Sequence, residues 1–163
     1  GDSYKVYVDR QTKFNDKVSA CIEANSDSAP GFASLFQDLS SQNYKGKKVK
    51  FSGFIKTKDV SDWSGIWMRV DDATQVLAFD NMEDRPVTGT NDWKEYDVVL
   101  EVPKESKKIK VGVMQAGKGK SWFNNCHFEP VDASVATTGK KIVSHEPVND
   151  LLPELPNLEF KSR

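Results

Sequence analysis

The sequence predicts an all-β protein, an antiparallel β-sandwich of the jelly-roll type. Three observations carry the prediction. Apolar and polar residues alternate at period 2 over most of residues 4–128, the runs are short and bounded by Asp-, Gly-, Pro- and Lys-rich turns, and helix signals are scarce. Roughly eight to ten strands at this length suit a jelly roll better than a seven-strand immunoglobulin domain, and no Cys-Trp-Cys spacing of the immunoglobulin kind is present.

Each element follows from its own pattern. Residues 4–9 alternate Tyr4, Val6 and Val8 with polar partners, and residues 17–24 alternate Val18, Ala20 and Ile22 with Ser19, Cys21 and Glu23, which predicts two strands joined by a polar turn. Residues 31–39 carry Phe32, Leu35, Phe36 and Leu39, a spacing that fits a strand running into a turn near Asn43 or a short amphipathic helix. The strand is favoured. After a Lys-Gly-Lys turn, residues 48–58 place Val49, Phe51, Gly53 and Ile55 on one face and Lys48, Lys50, Ser52 and Lys56 on the other. Further strands are expected over 66–71, 76–81, 96–102, 109–114 and 122–128, with Ile66, Met68, Val70, Tyr96, Val98, Leu100, Val102, Ile109, Val111 and Val113 supplying the interior. Gly117-Lys118-Gly119-Lys120 is expected to form a hairpin turn, and residues 80–93 a loop. Beyond Val131 the alternation stops, so residues 1–131 are expected to be the domain. Residues 132–163, with Pro147, Pro153 and Pro156, are expected to be an extended tail whose Leu151, Leu152, Leu155 and Leu158 could anchor it in a surface groove.

Composition narrows the function. The 163 residues fit one core, and 23 Lys+Arg against 24 Asp+Glu give a net charge of -1, so no global field draws nucleic acid or an anionic membrane. No apolar run approaches the ~20 residues that span a bilayer. The chain opens on Gly1 rather than methionine, which reads as a tag scar or a processed start. Cys21 and Cys126 suit core strand positions as free thiols better than a disulfide.

Catalysis lacks its parts. The only histidines are His127, within a predicted strand, and His145, in the tail, and no GxSxG motif occurs. Asp71, Asp80 and Glu129 are carboxylates that a glycosidase would need to face across a cleft. Asp71, Asp72 and Asp80 offer oxygens to a hard cation without any EF-hand or Cys/His ligand spacing. No cofactor is expected.

The remaining constellation lies between Trp63 and Trp93. If Ile66, Met68 and Val70 face inward, Trp67, Arg69 and Asp71 share the opposite face, where a planar ring, a guanidinium and a carboxylate could hold a sugar or other polyol. Gln115 and Asn124 are placed to reach the same face. The other reading, which the pattern favours, is structural, with Arg69 pairing Asp71 or Asp80 and Trp67 packed under a loop. Asp80, Asn81 and Arg85 extend the ligand reading, since Arg85 on a loop stiffened by Pro86 could reach over the face or pin the loop to Asp80 or Asp84.

The segments YKGKKVKFSGFIKT, SGIWMRVDD, LAFDNMEDRPVTGTNDW, YDVVLEVP and GKGKSWFNNCHF, within residues 44–129, resemble successive motifs of a family of bacterial domains found alone or attached to AraC-type transcriptional regulators. The resemblance implies a galactose-binding-like jelly roll akin to carbohydrate-binding modules, with no catalytic activity and no specified ligand. This chain departs from the family's late aspartate pair with Asn124 and Asn125, and no helix-turn-helix accompanies the domain. The expectation is a non-catalytic ligand-binding or sensory module with Trp67, Arg69, Asp71, Asp80, Asn81 and Arg85 as its site and carbohydrate or another small polar molecule as ligand. The alternative is a domain that contacts protein.

Overall fold

A computed structural model describes residues 3–26, 31–139, 146–147 and 161–162. The strands in chain order are β1 (Tyr4–Phe14), β2 (Lys17–Ala24), β3 (Phe32–Ser40), β4 (Lys48–Asp71), β5 (Gln75–Asp80), β6 (Val87–Glu101), β7 (Lys108–Ala116), β8 (Lys120–Val131), and two-residue β9 (Glu146–Pro147) and β10 (Lys161–Ser162). No helix occurs among the described residues. The architecture is the all-β antiparallel sandwich that alternation predicted; the short β10 alone runs parallel to its neighbour, β8.

One strand belongs to both layers. The first half of the 24-residue β4 pairs with β6 and β8, and its second half pairs with β7 and β5. One layer is therefore β1-β2-β8-β4-β6 and the other β3-β7-β4-β5, a single sheet curled into two faces. Between them lie Ile22, Leu35, Val49, Phe51, Ile55, Ile66, Met68, Val70, Val98, Leu100, Val111, Val113, Phe123 and Phe128, all buried. The inward residues expected of β6 and β7 are there, with Tyr96 packed at the margin.

Three local expectations change. Residues 48–58 and 66–71 are one continuous strand, because Asp59 (φ 54°) and register shifts around Thr57 and Val60 let the chain turn from one layer to the other without leaving the ladder. Residues 88–93, expected as loop, belong to β6 and pair across those shifts with Thr57 and Val60. Turn-forming Gly and Asn do not forbid a strand where a bent neighbour offers an unpaired edge. The 117–120 turn is not a hairpin, since β7 lies in one layer and β8 in the other. It is an arch between layers, held by Gly117 and Gly119 at positive φ.

The edges are closed by long-range contacts. The β1–β2 hairpin tip reaches across its layer, where Phe14 stacks on Phe54 at 4.3 Å and meets Trp93 at 5.4 Å. Asn124 secures the tip by donating to the carbonyls of Lys17 and Val18. Residues 132–139 run along the domain: Lys48 Nζ donates to the carbonyls of Ala133 and Val135, and Thr138 exchanges backbone and hydroxyl bonds with Val99. Leu151, Leu152, Leu155, Leu158 and His145 lie outside the described residues.

Phe51 is fully buried where both layers meet. Phe51→Ala should lower unfolding free energy by about 3–5 kcal/mol, read as a shift in urea midpoint at unchanged slope.

Candidate functional site

Strand alternation puts Trp63, Trp67, Arg69 and Asp71 of β4 on the outside of the β3-β7-β4-β5 layer. Directly opposed residues share a face, so Phe79 joins from β5, opposite Arg69, and Lys110 from β7. Phe36 and Asp38 come from β3. Phe36, Trp67, Met114 and Ala116, with half-buried Trp63 and Phe79, form a second apolar cluster separate from the core.

Trp67 is fixed on three sides. Its Nε1 donates to Ser34 Oγ at 2.8 Å, and Ser34 in turn donates to the Val113 carbonyl at 3.0 Å. Its ring lies across Gly112, where an added Cβ would sit 2.6 Å from the indole and from the Leu35 carbonyl. Phe36 and Phe79 tilt against it at 6.0 and 6.4 Å. Arg69 grips Asp71 bidentately, Nε to Oδ1 at 2.9 Å and Nη2 to Oδ2 at 3.0 Å. Burial raises the Asp71 carboxyl above its ordinary value, with Arg69 pulling the other way. Lys110 pairs with Asp38 at 3.3 Å and lies 4.5 Å over the Phe36 ring.

Trp67, Arg69 and Asp71 are 3%, 7% and 1% exposed. They form a floor. The accessible part is the rim: half-buried Trp63 and Phe79, and the Lys108–Asp38 pair at 3.5 Å.

The six expected residues do not converge. Asp80 stands opposite Met68, so it points to the inner side, away from Arg69. There its Oδ2 accepts from Arg85 Nη2 at 2.7 Å, and its Oδ1 accepts from the Met82 backbone N–H at 2.9 Å. Arg85 also holds Asp84 at 2.6 Å, which is the loop-pinning arrangement that the sequence offered beside the ligand reading. Asn81 caps its own turn through Glu83 N–H and reaches the outer face only by its carbonyl, which accepts from Trp63 Nε1 at 3.3 Å. Gln115 and Asn124 are not on this face either. Gln115 opposes Ser64 on the inner side and ties the 117–121 arch through the Gly119 carbonyl and Ser121 Oγ, while Asn124 belongs to the other layer.

The catalytic candidates disperse in the same way. His127 Nε2 lies 2.6 Å from the Asn125 amide oxygen. Glu129 pairs with Lys50 at 3.3 Å on the outside of the opposite layer, so it and Asp71 cannot flank one bond. Among the described residues no group of three or more His, Cys, Asp or Glu could hold a metal ion. Cys21 and Cys126 are free thiols, and burial pushes Cys21 up to about 11.

A second feature was not anticipated. Trp122 on β8 donates its Nε1 to Asp9 Oδ2 at 2.9 Å across 113 residues, and Lys120 Nζ sits 4.8 Å over its ring. Beside it opens a cleft of about 480 Å³ lined by Glu23, Lys58, Asp59, Lys118, Lys120 and Trp122, among others. The alternation of Lys120, Trp122 and Asn124 is legible in the sequence; that β1 folds back to meet them is not.

No family model matches the chain. In sequence it is 39% identical over 160 residues to the uncharacterized HTH-type transcriptional regulator YbfP of Bacillus subtilis (strain 168). That alignment takes in 97% of this chain and 52% of the regulator, so the chain spans about half the length of that relative. Among solved structures, a family 16 carbohydrate-binding module superposes with a TM-score of 0.58 at 12% identity, covering 78% of this chain and 86% of that one. In fold the chain is similar to carbohydrate-binding modules. A family 30 module gives 0.54 at 12% identity over 85% and 83% of the two chains. A xylan-binding domain from family 22 gives 0.51 at 16% identity over 77% and 81%. At these identities the likeness establishes fold.

Two outcomes follow from this geometry. Asp71→Ala takes the bidentate partner from a buried guanidinium and should cost about 3 kcal/mol, whereas Arg69→Met with Asp71→Leu should recover most of that loss in chemical denaturation. Asp9, whose side chain is 14% exposed, is held down to about 2 from 3.8, first by the Trp122 N–H, with burial opposing and the Gln11 and Thr12 N–H groups and Lys120 assisting. A depressed carboxyl stabilises the fold above its unfolded value, so this contribution is full above 3.8 and lost as pH falls through about 2. Asp9→Asn should flatten the urea midpoint across that window and leave its slope near neutrality unchanged.

Proposed function

We propose that the domain is a non-catalytic carbohydrate-binding module that holds its ligand on the outside of the β3-β7-β4-β5 layer. One observation carries the reading: a second apolar cluster, interleaved with paired charges, lies outside the core on a sheet face that sandwich packing does not require to be apolar. In this reading Trp63 and Phe79 present ring faces to the apolar side of a sugar, and Asp38 and Lys108 present hydrogen-bonding groups to its hydroxyls. Trp67, Arg69 and Asp71 act as positioning residues beneath them. Their bonds to Ser34 and to each other fix the floor, so the rim groups lose little freedom on binding. Asp80, Asn81 and Arg85 hold the neighbouring loop. The likeness in fold to carbohydrate-binding modules supports the reading without specifying a sugar.

The identity to half of a transcriptional regulator favours a second reading, in which the same face is the sensory or protein-contacting part of a larger chain. The described residues contain no helix-turn-helix.

A glycan array followed by calorimetry separates the two. Trp63→Ala and Phe79→Ala should each weaken a sugar hit about five- to tenfold while melting near the parent temperature. Trp67→Ala should instead lower stability. An empty array, or a hit indifferent to both rim variants, sinks the sugar reading. Self-association in light scattering that Trp63→Ala abolishes would favour protein contact.

A further inference from the structure

The geometry points to a second binding site, distinct from the face above: the cleft beside Trp122 takes a saccharide that carries a negative charge. Its charge is unbalanced. Three lysines, Lys58, Lys118 and Lys120, line it against two carboxylates, Glu23 and Asp59, on a chain whose net charge is -1.

Both carboxylates are already engaged by neutral donors. Tyr7 donates its hydroxyl to Glu23 Oε2 at 2.8 Å, and Thr90 donates to Asp59 Oδ1 at 3.3 Å. Lys120 is held over the Trp122 ring, with Asp9 Oδ2 at 4.0 Å. Among the described residues neither Lys58 nor Lys118 has a carboxylate ion-pair partner. Two lysines therefore line the cleft without an ion pair among the described residues, and the lining carries one more cation than it has carboxylates, so an anion entering it need not break a salt bridge at either lysine first.

The backbone beneath these lysines is rigid. Gly119 is pressed against the carbonyls of Lys58 and Asp59, where an added Cβ would lie 2.5–2.6 Å away. Lys118 N–H donates to Ser61 Oγ at 2.8 Å, and Gln115 Nε2 ties the Gly119 carbonyl at 2.8 Å. The positions carrying Lys58 and Lys118 are thus fixed relative to each other before any ligand arrives, which lowers the ordering cost of binding. A volume of about 480 Å³ admits one or two sugar rings and is too small for a folded partner. A lining of lysines, polar groups and the Trp122 indole suits a ring bearing hydroxyls and one acidic group. A sugar acid and a sugar phosphate share that chemistry.

The test is a titration of the whole chain, followed by backbone amide NMR, with glucuronate, glucose 6-phosphate, glucose and inorganic phosphate. Shifts at residues 58, 59 and 118–120 with glucuronate, with glucose 6-phosphate or with both are expected, and which acid acts identifies the source of the charge. Affinity should fall with added salt, and Lys58→Gln with Lys118→Gln should weaken it about tenfold while leaving distant amides unmoved. Trp63→Ala should not affect it, which separates failure here from failure of the outer-face reading. Glucose binding as well as glucuronate, inorganic phosphate binding as well as the sugar phosphate, or no shift from any probe at about 10 mM would overturn the proposal.

Discussion

The structure depends on one change of parity inside β4. In the first half of that strand the odd residues Val49, Phe51 and Ile55 face inward; in the second half the even residues Val60, Ile66, Met68 and Val70 do. A strand side chain alternates strictly, so the inward face can change only where the ladder slips, and it slips around Thr57 and Val60 with Asp59 at φ 54°. Everything downstream inherits the slip. Without it Trp67, Arg69 and Asp71 would be driven into the core, and Ile66, Met68 and Val70 would be turned to the outside. Thr90 and Gly119 hold the site of the slip, the first by bonding Asp59 and the second by pressing on its carbonyl.

That parity explains why a guanidinium and a carboxylate can be almost wholly buried outside the main core. Taking the pair from water is costly, and the bidentate geometry between Arg69 and Asp71 recovers it only because both partners sit on the same face of one strand, two residues apart. The lattice extends sideways through Lys110, which shares Asp38 and covers Phe36. Its rigidity is the physical basis for reading the floor as support and the half-buried rings of Trp63 and Phe79 as the contacting surface.

Much of the fold was legible because burial imposes period 2 on any strand with one wet face. The inward series of β6 and β7 follows from that rule alone, whereas Phe32, Leu35, Phe36 and Leu39 are spaced as a short amphipathic helix would space them, and it is pairing with β7 that makes this segment a strand. What alternation cannot carry is pairing. It gave no sign that residues 48–71 are one strand, that residues 88–93 complete its edge, or that the 117–119 arch joins two layers. The site was half legible for the same reason. Trp67, Arg69 and Asp71 share a strand, so their common face could be read directly. Asp80 and Arg85 required knowing that Asp80 stands opposite Met68, which is a register. Phe36, Phe79 and Lys110, the neighbours that complete the face, come from three other strands and have no sequence signal linking them to Trp67.

The pairing of β2 with β8, in which Ala20 meets Phe123 and Glu23 meets Lys120, joins parts of the chain about a hundred residues apart. During synthesis the amino-terminal hairpin therefore emerges long before its neighbour exists. Until β8 has left the ribosome, β2 has no partner along its second edge, and Phe14 waits for both Phe54 and Trp93. The domain is thus completed from its end backward, and its earliest-made segment spends the longest time as an open strand edge.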